Sequence, residues 1–82
     1  MPYNIHVAHN KHGFLVTAKL VGQDAEEQTV YRTVDDVMRG FRDSGIEIEA
    51  LKQLRRHLED GKDYSIPNAD LSHDSVTHIF GT

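Results

Sequence analysis

The chain has 82 residues, a length that accommodates one domain and leaves no room for a second. Its formal net charge of −4 argues against nonspecific nucleic-acid binding, which depends on phosphate neutralisation by lysine and arginine. No apolar run approaches the ~20 residues of a membrane span, and no cysteine is present to form a disulfide. We therefore expect a single small domain over residues 1–82, located in the cytoplasm and with no membrane partner.

The N-terminal part of the chain alternates between apolar and polar residues, as half-buried antiparallel strands do. Strands are predicted at 3–8, 14–21 and 29–32. Turn residues at 10–13 and a polar, acidic loop at 22–28 separate them, which predicts two successive hairpins. In the second strand one face carries Phe14, Val16, Ala18 and Leu20, and the other carries Leu15, Thr17, Lys19 and Val21.

The central part of the chain, residues 33–61, has the spacing of two amphipathic helices. Thr33 is placed to cap the first helix, and Gly45 and Gly61 are placed to end the two helices. Gly40 is inconsistent with a helix interior, where glycine costs about 0.5–1 kcal/mol relative to alanine, and it either marks a close approach to another backbone or is tolerated. The apolar stripes are Val34, Val37, Met38 and Phe41 in the first helix, and Leu51, Leu54 and Leu58 in the second.

The C-terminal part is predicted to begin with an extended segment at 62–68, which Pro67 closes, followed by polar turn residues. Alternation over 76–80 predicts a fourth strand there. The expected fold is α+β with two layers. An antiparallel β-meander of three strands, joined by a fourth C-terminal strand, is covered on one face by two helices in the order β-β-β-α-α-β.

Six histidines are the unusual feature of the composition. His6, His9 and His12 recur every three residues, but His6 and His9 point to opposite faces of an extended strand. His73 and His78 approach the others only if the last strand pairs beside the first, so convergence of these five on a metal stays open. No metal site or cofactor is predicted, and a metal- or pH-responsive protein is kept as an alternative function.

Two patterns near the C-terminus resemble functional sites but fail on detail. Ser72, His73 and Asp74 are the residue types of a hydrolase triad, yet triad members come from separate segments of a chain. Asp70, Ser72 and Asp74 resemble the opening of a calcium loop, but Ser75 and Gly81 stand where that loop needs glycine and glutamate. We therefore predict no catalytic residues and a protein that is not an enzyme.

Charged residues suggest two further surfaces. Charge count alone suggests a basic ridge that would bind anionic ligands and an acidic rim that would bind a basic partner. The ridge comprises Arg39, Arg42, Lys52, Arg55 and Arg56. The rim comprises Asp24, Glu26, Glu27, Glu59, Asp60 and Asp63.

The sheet face that two helices leave uncovered is the leading candidate for function. We predict that it carries Leu15, Val21 and Tyr31 as anchors of a protein interface. The hypothesis is a small protein-binding or regulatory module, with a homodimer through this face as one form. Small bacterial regulators and phage-encoded acidic inhibitors of host enzymes are similar in length, acidity and build, which is a likeness of form only.

Overall fold

The computed structural model describes residues 2–81 and shows one four-stranded antiparallel sheet with a layer of helices on one face. The strands are β1 (Pro2–Asn10), β2 (Gly13–Leu20), β3 (Glu26–Tyr31) and β4 (Tyr64–Asp70). The helices are α1 (Val34–Gly40), α2 (Ile48–Glu59) and α3 (His73–Phe80). The strand order across the sheet is β3-β2-β1-β4, so β3 and β4 form its two edges. The predicted α+β fold and the order β-β-β-α-α-β are confirmed, with an additional helix at the end.

Alternation along the strands separates a covered face from an uncovered one. In the β1–β2 hairpin Ile5 lies opposite Ala18 and Val7 lies opposite Val16, and all four side chains are buried. The same hairpin places Ala8 opposite Leu15 on the other side. The covered face is therefore the one predicted from the apolar alternation of the first two strands.

The first two helices form as their caps and stripes predict. The Thr33 hydroxyl accepts the Asp36 N–H at 3.1 Å, and Val37 and Phe41 are fully buried beneath α1. The predicted stop at Gly45 is wrong, because α1 ends at Gly40 and an irregular corner with Asp43 at φ 58° connects it to α2. In α2 the stripe of Leu51, Leu54 and Leu58 faces the core, and Gly61 at φ 79° follows its C-terminus.

The strand predicted over 76–80 is wrong, since these residues belong to α3. Ser72 caps this helix by accepting the Ser75 N–H at 3.1 Å, and Gly81 ends it in the left-handed conformation. Val76, Ile79 and Phe80 are all buried. Their spacing of three and four residues puts them on one side of a helix, where they pack under the sheet.

The fourth strand instead lies within the extended segment predicted at 62–68. β4 pairs antiparallel with β1, with Ile5 opposite Ile66 and Tyr3 opposite Ala69. The register shifts between those two pairs, where Pro67 interrupts the strand. The edge strand next to β1 is therefore irregular, and the edge strand next to β2, β3, is regular.

The core lies between the covered face and all three helices. Its buried members are Ile5, Val7, Val16, Ala18, Val37, Phe41, Leu54, Leu58, Ile66, Ala69, Leu71, Val76, Ile79 and Phe80. Within residues 2–81, no helix is both long enough and apolar enough to cross a membrane.

Candidate binding surface

On the uncovered face of the sheet, one row of apolar side chains lies between polar positions on both sides. Strand register aligns Ala8, Leu15 and Val30 side by side across β1, β2 and β3. Ala8 and Leu15 are half-buried by their neighbours, whereas Val30 is 46% exposed. We call these three residues the apolar row.

Polar side chains fill the rest of this face. The next aligned set is His6, Thr17 and Gln28, and His6 Nδ1 is hydrogen-bonded to Ser65 Oγ on β4 at 2.6 Å. Beyond it, Lys19 lies directly opposite Glu26. These last two are the only Asp, Glu, Lys or Arg side chains that β1, β2 and β3 place on the uncovered face.

The three predicted interface residues do not lie together on the uncovered face. Leu15 is on the uncovered face as predicted, and Val21 is 41% exposed in the turn that follows β2. The placement of Tyr31 on that face is wrong, because Tyr31 pairs with Phe14 and packs against the core on the covered side. Val30, its neighbour, occupies the uncovered position that was assigned to Tyr31.

Tyr31 anchors β3 to the helix layer. Its hydroxyl donates a hydrogen bond to the backbone carbonyl of Ile79 in α3. Burial raises the pKa of this hydroxyl above its ordinary value of 10.0, and the Asp36 carboxylate adds to the rise. A Cβ atom at Gly40 would lie 2.5 Å from the Tyr31 hydroxyl oxygen, so Gly40 marks a close approach, to a side chain rather than a backbone.

The outer edge of β4 is interrupted. Pro67 lacks an N–H, and the register shift beside it breaks the regular ladder with β1. Asn68 adopts φ 53°, and its N–H donates to the Asn4 side-chain oxygen at 3.1 Å. A strand interrupted in this way is a poor template for a further strand.

The outer edge of β3 is regular. The Leu20 N–H donates to the carbonyl oxygen of Ala25 at 3.2 Å. This bond shows which alternate residues of β3 are hydrogen-bonded to β2. Residues 27, 29 and 31 therefore point their backbone N–H and C=O groups towards β2, and residues 26, 28 and 30 point theirs outwards. Glu26, Gln28 and Val30 are all exposed. This six-residue edge contains no proline and no lysine.

The histidines are dispersed over the molecule. His9 approaches Asp63, whose Oδ1 accepts the His9 backbone N–H at 3.1 Å and lies 3.3 Å from His9 Nδ1. These two hydrogen bonds, the backbone one first, lower the pKa of Asp63 below its ordinary value of 3.8. The ring of His57 lies tilted against that of Tyr64, with the ring centroids 4.7 Å apart. Among residues 2–81, no group of three or more potential ligands is placed to hold a metal ion.

The charged surfaces also separate. Arg39 pairs with Asp36, Lys52 with Glu49, and Arg55 with both Asp35 and Glu59, so acids accompany most of the predicted basic ridge. The predicted acidic rim does not form. Its first three members lie by the β2–β3 hairpin loop, while the other three flank the turn before β4 at the opposite edge and end of the sheet.

The residues of the triad-like pattern serve α3. Ser72 is its N-cap, and its hydroxyl also donates to Ser75 Oγ at 3.0 Å. His73 and Asp74 are exposed in the first turn. Asp74 therefore lies where the positive end of the helix dipole favours an acid.

Comparisons of the chain with protein-family models, curated proteins and solved structures found no match.

Proposed function

We propose that this protein is a non-enzymatic protein-binding module whose contact surface is the uncovered face of the sheet. The proposal rests on one observation, the contrast in charge between the two sides of the molecule. Within β1, β2 and β3 the only charged side chains on that face are Lys19 and Glu26, which lie opposite each other, and Asp70 and Arg32 add charge only at its two outer edges. The helix layer, in contrast, presents an ion-paired surface. Depletion of charge at the centre is what distinguishes the core of a protein interface from ordinary surface.

The apolar row supplies the contact area. Leu15 is at its centre, with Ala8 and Val30 in register on either side. The polar set of His6, Thr17 and Gln28 beside it supplies hydrogen-bonding groups of both kinds. The partner that suits this arrangement is a protein surface of apolar and uncharged polar side chains. A second copy of the chain on the same face is the alternative occupant.

Site-specific photo-crosslinking in the native host tests this proposal. A photoreactive residue at Thr17, in the middle of the face, is expected to capture a discrete protein product. The same group at Gln53, exposed on α2, is expected to capture none. If both positions give the same products, the face has no specific partner and the proposal is wrong.

A matched pair of substitutions then separates binding from surface hydrophobicity. Leu15→Asp is expected to abolish the product captured at Thr17, because it puts a carboxylate at the centre of the apolar row. Ile48→Asp is the control, since Ile48 is an aliphatic residue 69% exposed on the helix side. Capture that survives Leu15→Asp, or that is lost equally with Ile48→Asp, would contradict the proposed surface.

A further inference from the structure

The outward-facing edge of β3 is complementary to itself. In an antiparallel pair, side chains of directly opposite residues lie on the same face of the sheet. When two copies of β3 pair about a two-fold axis that passes beside one residue, that residue lies opposite its own copy. The covered and uncovered faces then continue from one copy to the other. The outward N–H and C=O groups of β3 belong to its even-numbered residues. Every register of this kind places an even-numbered residue of one copy opposite an even-numbered residue of the other. The edge can therefore form a regular ladder with a second copy in several registers, and side-chain chemistry decides among them.

The register centred on Thr29 pairs opposite charges and draws its acid, Glu26, from β3 itself, whereas the register centred on Gln28 would use Asp24, which lies outside the strand. In the register centred on Thr29, Glu26 lies opposite the second copy's Arg32, and the reverse pair forms symmetrically. Arg32 is exposed immediately after β3, and no ion pair among residues 2–81 includes it. Glu26 would then lie between Lys19 of its own chain and Arg32 of the other, an alternation of charge across three strands.

The remaining pairs in this register are compatible. Gln28 lies opposite Val30, Glu27 lies opposite Tyr31, and Thr29 meets its own copy at the axis. No like charges face each other, and a threonine pair is favourable across strands. We propose that a second copy of this chain binds along β3 in this register, joining the two four-stranded sheets into one. The uncovered faces of the two copies then form a single continuous surface. This inference goes beyond the proposed function and does not depend on it.

The dimer is expected to be reversible. One added strand pair buries an interface at the small end of the specific range, under about 1,200 Å² in total. Association should therefore depend on concentration between micromolar and millimolar protein. Sedimentation equilibrium over that range measures it directly. A strict monomer at millimolar concentration overturns the inference.

Charge exchange tests both the edge and the register. Glu26→Arg places two arginines opposite each other on each side of the axis, and Arg32→Glu places two glutamates there. Each single variant is expected to weaken association by about tenfold or more, since like charges directly opposite destabilise strand pairs. The double variant Glu26→Arg/Arg32→Glu restores opposite charges between the copies, so it is expected to recover association when it is made in a Lys19→Gln background, where the new arginine meets no like charge in its own sheet. If the double variant stays as weak as the singles, the pairing is wrong.

Two further variants locate the interface if association survives the single changes. Asp24→Arg makes the same charge change as Glu26→Arg in the adjoining loop, and Asp24 faces Arg32 only in the register centred on Gln28. Weakening by Asp24→Arg in place of Glu26→Arg would overturn the register. Weakening by Leu15→Asp, with Glu26→Arg neutral, would place the second copy on the sheet face and overturn the edge inference. Partner capture at Thr17 is measured separately, so either proposal can fail without the other.

Discussion

The two edges of the sheet are strands of similar length, β4 with seven residues and β3 with six, but they present different chemistry to solvent. β4 has a register shift against β1 and contains Pro67, which has no N–H to offer. β3 pairs with β2 in an unbroken register, and the backbone groups of alternate residues are directed outwards. Proteins protect an edge strand against further pairing with bulges and prolines, and only β4 has this protection.

β3, the edge without this protection, is also attached to the helix layer on its covered side. Tyr31 fixes it to α3 through the carbonyl of Ile79, and the space at Gly40 accommodates the Tyr31 ring. An edge held in this way presents a fixed template, which reduces the ordering cost of pairing with a second strand.

A proline in β3 should have the largest effect on self-association, because it gives β3 the same protection against strand pairing that Pro67 gives β4. Gln28→Pro removes an outward N–H and leaves the hydrogen bonds to β2 intact, so the fold should persist. We expect self-association to fall below detection in sedimentation equilibrium. Gln28→Ala is the control and should associate like the wild type. A Gln28→Pro protein that folds and still associates would contradict the use of this edge.

The packing of Tyr31 on Gly40 predicts the next largest effect. Gly40→Ala introduces a Cβ 2.5 Å from the Tyr31 hydroxyl oxygen and 2.8 Å from its Cζ atom. We expect the free energy of unfolding, measured with denaturant, to fall by about 1–3 kcal/mol. In a Tyr31→Ala background the obstruction is gone and Gly40→Ala should cost nothing. Equal costs in the two backgrounds would show that the two residues are not coupled.

On the protected edge, the conformation of Asn68 predicts a smaller effect. Asn68→Ala keeps a side chain at φ 53° without the local hydrogen bonding of asparagine, and should lower the free energy of unfolding by about 1 kcal/mol. Asn68→Gly should be close to neutral because glycine adopts positive φ without steric cost. The contrast between the two variants is the measurement. If alanine is tolerated as well as glycine, the register shift does not depend on this residue.

The smallest effect is a pH dependence beside the same edge. The folded pKa of Asp63 is lowered, so ionised Asp63 stabilises the fold above its ordinary pKa of 3.8, and this contribution is lost as pH falls through the folded pKa. Asp63→Asn should therefore be less stable than the wild type at neutral pH, and the difference should shrink in acid. Unfolding free energies measured across that range check the sign. A difference that grows on acidification would contradict it.

The sequence predicted the parts of the fold that depend on a single element. Thr33, the stripe ending at Phe41, and the leucines of α2 specify their helices locally, and alternation identified the face of Val16 and Ala18. The segment 76–80 is wrongly predicted as a strand because β-branched and aromatic residues there alternate over five positions. The competing signals, a serine cap at Ser72 and a glycine stop at Gly81, lay outside that window.

The candidate surface was less predictable because it depends on pairing between strands. Leu15 was placed correctly from the alternation within β2. Assigning Tyr31 or Val30 to the uncovered face requires the register of β2 against β3, and a one-residue slip exchanges the two. That register is set by the turn after Leu20, whose geometry the polar loop sequence does not specify. The predicted acidic rim also depended on contacts between strands. The acids near position 24 and those near position 63 lie at opposite edges of the sheet, and only the strand order shows this.

Amide hydrogen exchange, followed residue by residue at low and high protein concentration, tests the pairing of β3 most directly. Exchange of the outward N–H groups of Gln28 and Val30 should slow as concentration rises, because a second copy hydrogen-bonds them. The N–H groups of Glu27 and Thr29 should be protected at both concentrations, since β2 already binds them. If Gln28 and Val30 exchange equally fast at every concentration, the β3 edge does not bind a second copy.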